Sequence, residues 1–320
     1  MKPKLLIILS PPRSFSSVVS TMIGQHPELY CFPELHLFVA DTVGQILDRE
    51  ERRGRNYAGP PGVLRALAQL HHGKQTTGTI IKSGAWLLDR RDWSVKELVD
   101  HLLEQVSPMI GVEKSPVTCM NPGFIRRAYS CYPDACYLHL TRHPVSTCKS
   151  MEEYFNERKR VQKRGGRNEL LELDNLLIWY AMHRNVYEFA SILPPGQFMR
   201  IKGEDLLSAP DVYLPQVADW LGVRTDLEAI DDMMHPENSP YACVGPAPAR
   251  SGNDVKFMRS PQLRPGRVKE PSLSRFLDET EHLWLSAQGE AVLGEIGVRF
   301  RSDAEVVTAI EGMAQKMGYE

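Results

Sequence analysis

The sequence predicts an α/β protein with a P-loop-like, mainly parallel sheet flanked by helices. Five consecutive aliphatic residues, Leu5 to Leu9, are typical of a strand that is buried on both faces. Similar short apolar runs alternate with helical patterns up to about residue 222, as in parallel sheets with crossover helices. Polar turns follow several of these runs, at the strand ends where α/β sheets place their ligands. We therefore expect a ligand site at one edge of the sheet.

Composition limits the classes of partner. Of the 320 residues, 42% are hydrophobic and 24% are charged, and the net charge is −2. These values are ordinary for a soluble globular protein and argue against broad nucleic-acid binding. No apolar run approaches the roughly 20 residues of a membrane span, and the first apolar segment is too short for a signal peptide. We expect one domain over residues 1–320, in the cytoplasm, with no nucleic-acid or membrane partner.

The cysteines indicate neither a disulfide framework nor a metal site. Six cysteines, at positions 31, 119, 131, 136, 148 and 243, form no C-x-x-C pair and no zinc-type spacing with histidine. We expect reduced thiols, most of them in the core, and no metal.

Local signals place the elements in chain order. Apolar runs predict strands at 5–9, 29–32, 109–112, 135–140 and 197–201. Apolar residues at helical spacing predict helices that begin near 16, 122 and 144 and that cover 63–72, 94–106, 170–193, 212–221, 273–293 and 304–317. Ser94 and Glu97 form a capping box, and Pro122 suits a first helical turn. Gly222 is a typical residue after a helix end.

Two stretches are predicted to be loops. Residues 48–62 combine charged pairs with Gly59-Pro60-Pro61-Gly62 and indicate an exposed loop. Residues 235–272 are rich in Pro, Gly, Ser and Asn, and long loops of this kind are usually functional. We expect loops within residues 36–62, 74–92 and 235–265 to line the pocket for a ligand.

The first polar turn, residues 10–17, predicts an anion site. A helix N-terminus, several serine hydroxyls and the guanidinium of Arg13 follow a buried strand there. The turn contains neither Gly nor Lys, which excludes a nucleoside-triphosphatase loop and a dinucleotide loop. Spacing alone leaves open a simpler alternative, in which Ser14 or Ser16 only caps the helix.

A second polar turn of the same design follows the strand at 135–140. It reads Thr141-Arg142-His143-Pro144, with Ser150 eight residues after the arginine. Two anion sites on one sheet suit a ligand with two separated phosphates. At this point the sequence resembles the sulfotransferases that use 3′-phosphoadenosine 5′-phosphosulfate (PAPS).

Five short motifs in the family's order carry the resemblance. Pro12-Arg13-Ser14-Phe15-Ser16-Ser17 resembles the 5′-phosphosulfate loop, and Arg142-His143-Pro144 through Ser150 resembles the 3′-phosphate motif. Phe32-Pro33-Glu34-Leu35 and Glu113-Lys114-Ser115-Pro116 resemble the segments with the catalytic glutamate and a sulfuryl-contacting lysine. Arg200 to Leu206 with Trp220-Leu221-Gly222 resembles a structural segment. Phe15 replaces the usual loop glycine, and His143 the usual aspartate.

The resemblance implies an enzyme that moves the sulfuryl group of PAPS in line to an acceptor hydroxyl. Glu34 would be the general base, with His36 as competing base or partner, and Lys114 would stabilise the transferring group. The donor would be held by Pro12, Arg13, Ser14, Phe15, Ser16, Ser17, Arg142, Ser150 and, in a late loop, Arg267.

The acceptor is less constrained. Residues 235–267 resemble the sulfotransferase domains of polyketide assembly lines, which implies a small hydroxylated acceptor such as the β-hydroxyl of a carrier-bound acyl chain. The alternatives are a non-catalytic nucleotide-binding protein of this fold and an atypical phosphotransferase, which would need a loop lysine and a magnesium carboxylate.

Overall fold

A computed structural model of the protein describes residues 4–52, 59–161, 174–264, 266, 268, 270–282 and 284–320. Within these residues one five-stranded sheet is formed, and every strand pair in it is parallel. Its strands are β1 (Leu5–Leu9), β2 (Leu29–Cys31), β3 (Ile110–Glu113), β4 (Cys136–Thr141) and β5 (Phe198–Lys202). The order β2-β3-β1-β4-β5 places β1 in the centre. The predicted parallel α/β sheet is confirmed.

The central position of β1 follows from its side chains. Leu5, Ile7 and Leu9 pack into a hydrophobic cluster on one face of the sheet, and Leu6 and Ile8 pack into a second cluster on the other face. A strand with polar residues at alternate positions could not occupy this place, because both faces are covered.

Helices cover both faces. The described helices are α1 (Ser16–Ile23), α2 (Val43–Arg52), α3 (Pro61–His72), α4 (Thr77–Leu88), α5 (Val95–Val106), α6 (Pro122–Cys131), α7 (Pro144–Val161), α8 (Asn175–Ala190), α9 (Gly203–Ser208), α10 (Pro210–Leu221), α11 (Leu227–Met233), α12 (Val255–Arg259), α13 (Leu273–Glu279), α14 (Ala287–Glu295) and α15 (Asp303–Lys316). Helices α1, α10 and α11 pack on the Leu6 face, whereas α2 to α6 and α8 pack on the Leu5 face. Among the described helices, none combines the length and apolar character that crossing a membrane requires. All six cysteines are free thiols and four are buried, as expected.

The predicted exposed loop at 48–62 is wrong in part. Helix α2 continues to Arg52, and Glu50 on it is buried. Pro60 and Pro61 are also buried, because α3 begins at Pro61. The charged run that indicated a loop largely forms the outer face of an amphipathic helix. Residues 53–58 lie outside the described residues.

Two further helix predictions need correction. Residues 77–88, predicted above to be part of a pocket loop, form α4. Its two glycines and its threonines obscured the helical pattern in the sequence. Thr76 and Thr79 nevertheless form a capping box at its start. The single helix predicted at 273–293 is two helices, because the side chain of Ser286 caps a new one. Helix α8 begins after the capping residue Asp174, and residues 170–173 of its predicted range are outside the described residues.

A buried histidine pair joins the sheet to its covering helices. His139 on β4 and His183 on α8 are fully buried, with 2.8 Å between Nε2 of the first and Nδ1 of the second. Their other ring nitrogens have no hydrogen-bond partner among the described residues. Burial lowers the pKa of His139 to about 3 and that of His183 well below its usual value. The pair is therefore neutral in the folded protein.

We predict acid destabilisation from this pair. Below about pH 6.5 the unfolded histidines bind protons that the folded pair refuses, so the free energy of unfolding falls as pH falls. For His139, whose pKa in the folded protein is about 3, the loss at pH 5 relative to pH 8 would be about 2 kcal/mol, and His183 would add to it in the same direction. Urea unfolding at both pH values should show this decline in the wild type and less of it in His139→Gln/His183→Gln. The exposed His72→Gln variant is the control, and an equal decline in the double variant would contradict the prediction.

Candidate functional site

The first polar turn leaves the start of α1 without a side-chain cap. Phe15 is the N-cap residue, and its side chain caps nothing. The alternative in which Ser14 or Ser16 merely caps this helix is therefore not what the structure shows. Ser14 is fully buried, and its hydroxyl has no hydrogen-bond partner within the described residues. An anion at this turn would meet this hydroxyl and the first N–H groups of α1.

Phe15 occupies the position where the family motif has glycine. Its φ of 60° lies in the left-handed region that favours glycine, and the φ of Arg13 is 66°. The ring fits because Gly203 has no side chain: a Cβ there would lie 2.7 Å from Cδ2 of Phe15. The Arg142 guanidinium lies over the ring, 4.1 Å from its centre. Phe15 thus supports the arginine of the second motif.

The structure brings the two polar turns into direct contact. Arg142 donates from Nη1 to the backbone oxygen of Arg13 at 2.5 Å, and Trp179 donates to the backbone oxygen of Arg142 at 3.0 Å. Burial lowers the pKa of Arg142 to about 10, so it remains a cation at neutral pH. Ser150 accepts a hydrogen bond from Nε of Arg13 at 3.1 Å. The second motif's serine therefore contacts the first motif's arginine.

Lys114 and Glu34 form the centre of the site. Lys114 follows β3 directly and is fully buried. Its Nζ donates to Oε1 of Glu34 at 2.6 Å and to Oγ of Ser17 at 3.0 Å. On the far side of Glu34, Oε2 lies 3.3 Å from Nε2 of His36. Glu34, the predicted general base, thus lies between the predicted competing base His36 and the predicted sulfuryl-contacting Lys114.

The electrostatics of Glu34 follow from these contacts. Burial alone would raise its pKa, but the Lys114 ammonium and the His36 ring together lower it to about 2. Glu34 is therefore ionised across the physiological pH range. A carboxylate this acidic is a weak proton acceptor at neutral pH.

A second carboxyl group, that of Glu113, is linked through Ser115 to the backbone of His36. The φ of His36 is 54°, a left-handed conformation that a side chain adopts at a cost of order 1 kcal/mol. Its backbone N–H donates to Oγ of Ser115 at 2.9 Å, and that hydroxyl donates to Glu113. Burial raises the pKa of Glu113 to about 7. The sequence motif identifies Glu113 only as a neighbour of Lys114 and does not predict this contact with Ser115.

Residues 235–272, here called the late loop, supply two site residues that the sequence motifs do not include. Oδ1 of Asn253 accepts from Nζ of Lys114 at 3.2 Å. The carboxylate of Asp254 forms an ion pair with the guanidinium of Arg13, and its backbone N–H donates to Oγ of Ser17 at 3.0 Å. The only local signal was that Asp254 is a favourable N-cap for a short apolar segment. It caps α12.

A buried arginine anchors this loop. Arg65 on α3 is fully buried and donates to the backbone oxygen of Cys243 at 2.9 Å and to that of Ser251 at 3.3 Å. It also donates to the side chain of Gln75 at 2.6 Å. These bonds connect the loop that carries Asn253 to α3.

The remaining predicted residues are placed as follows. Pro12 is half-buried in the first turn, and Ser16 is the buried first residue of α1. Arg267 lies outside the described residues. A small crevice beside His36 is lined by Val39, Ile46, Pro60 and Val117, together with Arg49 and Glu50. Within the described residues no three His, Cys, Asp or Glu side chains are grouped closely enough to hold a metal ion.

The ends of four neighbouring strands therefore meet in one cationic site with a Glu–His pair. Most residues of this site lie in the motifs that resemble those of sulfotransferases. A family model described as "Sulfotransferase family" matches residues 3–227. The match covers most of the chain, and the chain belongs to the sulfotransferase family.

Solved structures show the same fold. The sulfotransferase domain from the curacin biosynthetic pathway is similar, with a TM-score of 0.66 and 24% identity over 93% of this chain and 99% of that domain. The sulfotransferase domain of the Synechococcus PCC 7002 olefin synthase is similar at a TM-score of 0.67 and 20% identity, over 100% and 96% of the two chains. Comparison with the curated proteins found no match.

We predict that Lys114→Ala raises the pKa of Glu34, because Lys114 is the main influence that opposes burial there. Carbon-13 NMR titration of the glutamate carboxylates, with Glu34→Gln to assign the resonance, would measure the change. Lys82→Ala, at an exposed position on α4, is the matched control and should leave this pKa unaltered. An unaltered pKa in Lys114→Ala would contradict the assignment of the ion pair.

Proposed function

We propose that the protein transfers the sulfuryl group of PAPS to the hydroxyl of a small acceptor. The observation that carries this proposal is the continuous set of contacts that joins Arg142 and Arg13, at the two polar turns, through Asp254 and Ser17 to Lys114 and the Glu34–His36 pair. Three cations near an uncapped helix N-terminus suit a donor with several anionic groups. An atypical phosphotransferase is less well supported, because the first turn has no lysine.

Each group has a role in this proposal. PAPS supplies an activated sulfuryl group: its bond to the 5′-phosphate oxygen breaks, a bond to the acceptor oxygen forms, and adenosine 3′,5′-bisphosphate leaves. Arg13, Ser14 and Ser17 would hold the 5′ side of the donor, and Lys114 would balance the charge that grows during transfer. Arg142 would hold the 3′-phosphate, with Ser150 beside it.

The acceptor's proton is assigned to the Glu34–His36 pair. We assign its uptake to the His36 imidazole and give ionised Glu34 the role of orienting that ring, because a pKa of about 2 makes Glu34 a poor base at neutral pH. The left-handed backbone at His36, held by Ser115, would fix the ring beside the carboxylate. The prediction of Glu34 itself as base is the alternative.

The acceptor class rests on two supports. Val39, Ile46, Pro60 and Val117 line a crevice beside His36 and offer apolar contacts to an acyl chain, but the crevice is too small to enclose one in this structure. The late loop resembles sulfotransferase domains of polyketide assembly lines. We therefore propose the β-hydroxyl of a carrier-bound acyl chain as acceptor, and we place the reaction in the cytoplasm because all six thiols are free.

Calorimetry with nucleotides tests the donor assignment. Wild-type protein should bind adenosine 3′,5′-bisphosphate more tightly than AMP, which lacks the 3′-phosphate. Arg142→Ala should weaken binding of the bisphosphate roughly tenfold to a hundredfold, because a charge-assisted hydrogen bond contributes about 1.5–3 kcal/mol. Its affinity for AMP should change little. Arg224→Ala, at an exposed arginine, is the control. Equal wild-type affinities for both nucleotides would refute the 3′-phosphate assignment.

Single-turnover transfer from PAPS to a 3-hydroxyacyl N-acetylcysteamine thioester tests the proton assignment. His36→Asn should lower the rate about 10²–10⁴-fold, because it removes the proton acceptor. Glu34→Gln keeps the shape of an orienting group and should cost less. Should Glu34→Gln lower the rate as much as or more than His36→Asn, the glutamate is the base. Absence of transfer by wild-type protein that binds the donor would favour a non-catalytic binder.

A further inference from the structure

Two adjacent residues of the late loop, Asn253 and Asp254, contact the two cations beside the first polar turn, Lys114 and Arg13. Asn253 accepts a hydrogen bond from Lys114, and the Asp254 carboxylate pairs with Arg13. An ammonium group has three donors, and those of Lys114 go to Ser17, Glu34 and Asn253. Neither cation can therefore bind an incoming anion with its full set of donors unless a present partner gives way.

The segment is held at this place by its backbone. The oxygen of Gly252 accepts from the N–H of Glu34 at 2.6 Å, and Gly252 packs against Gly62 so closely that a Cβ would lie 3.2 Å from the Gly62 Cα. Oδ1 of Asp254 accepts from the N–H of Phe257 at 3.0 Å, while Oδ2 faces Arg13. Asp254 thus meets Arg13 through a built contact and not through a freely rotating side chain.

Electrostatic repulsion at Arg13 affects the binding of an anionic sulfuryl donor. The Arg13 and Asp254 side chains are 14% and 20% exposed, so the dielectric around them is lower than that of water. The Asp254 carboxylate and the 5′-side oxygens of the sulfuryl donor would repel each other at this one guanidinium and compete for its N–H groups. We therefore expect binding of the sulfuryl donor to weaken or break the Arg13–Asp254 ion pair.

We propose that Asp254, with Asn253 beside it, is an internal competitor that occupies the place of the donor's 5′ anionic group and that the donor displaces. This inference rests on the proposed function, since it assumes that the first turn binds that group. The apparent donor affinity is then lowered by the fraction of molecules in which Asp254 holds Arg13. The segment sets how much donor is needed to load the site.

Asp254→Asn is the direct test, because asparagine caps a helix as well as aspartate and loses only the charge. The probes are AMP, adenosine 3′-monophosphate and adenosine 3′,5′-bisphosphate, measured by calorimetry. The variant should bind both 5′-phosphorylated nucleotides roughly threefold to thirtyfold more tightly, whereas its affinity for the 3′-monophosphate should be unchanged. Asp254→Ser, which also retains a capping oxygen, should show the same gain.

Asp226→Asn is the matched control. Asp226 likewise caps a helix, α11, and pairs with an arginine, Arg224. Its substitution should leave all three affinities unchanged. Thermal melting confirms that each variant is folded.

The outcomes separate the two proposals. If wild-type protein binds the 5′-phosphorylated nucleotides and both Asp254 variants bind them equally or more weakly, Asp254 orients Arg13 and the competitor role is overturned. A gain confined to the 3′-monophosphate overturns it as well, because Arg13 would then belong to the 3′ side. If no protein binds any of the nucleotides, the proposed function fails and takes this inference with it.

Discussion

The site depends on one buried ammonium group. Lys114 is fully enclosed, and an unpaired charge in that position would cost several kcal/mol. Its three acceptors come from three separate parts of the chain: Ser17 on α1, Glu34 after β2 and Asn253 in the late loop. The three hydrogen bonds of the Lys114 ammonium therefore hold the start of α1, the segment after β2 and the late loop together at the site.

Two carboxyl groups near Lys114, those of Glu34 and Glu113, differ in pKa. Burial opposes ionisation of both Glu34 and Glu113. Contact with Lys114 and His36 lowers the pKa of Glu34 to about 2, whereas Glu113, which contacts Ser115, has a pKa of about 7. Glu34 is charged and lies against His36, whereas Glu113 is only partly ionised near neutral pH and contacts the Ser115 hydroxyl that holds the backbone of His36. Such a difference between two neighbouring acids is typical of a site that handles a proton.

Departures from the family motif are compensated by packing. Phe15 holds the left-handed backbone that a glycine would adopt more easily, and its ring lies between Gly203 and the Arg142 guanidinium. The strain at Phe15 is of order 1 kcal/mol, and the contact with Arg142 offsets part of it. The second motif's arginine is thus oriented by the residue that makes the first motif unusual.

By itself the sequence determined the parallel sheet, the order of the motifs and the family. These are local properties: a strand with aliphatic residues at every position has to be buried on both faces, and a polar turn after such a strand has to lie at the sheet's edge. Helix α4 was not readable, because its glycines and threonines have weak helical preference and its formation depends on packing against α3.

Only the tertiary structure decided which side chains meet. Ser17 and Asp254 are 237 residues apart, and no local pattern specifies that contact. The contact exists because Arg65 binds the backbone of the late loop and because Gly62 and Gly252 allow close approach beside Glu34. The residues of the site could therefore be predicted in part from motifs. Their pairing, and with it the charge state of Glu34, follows from long-range packing.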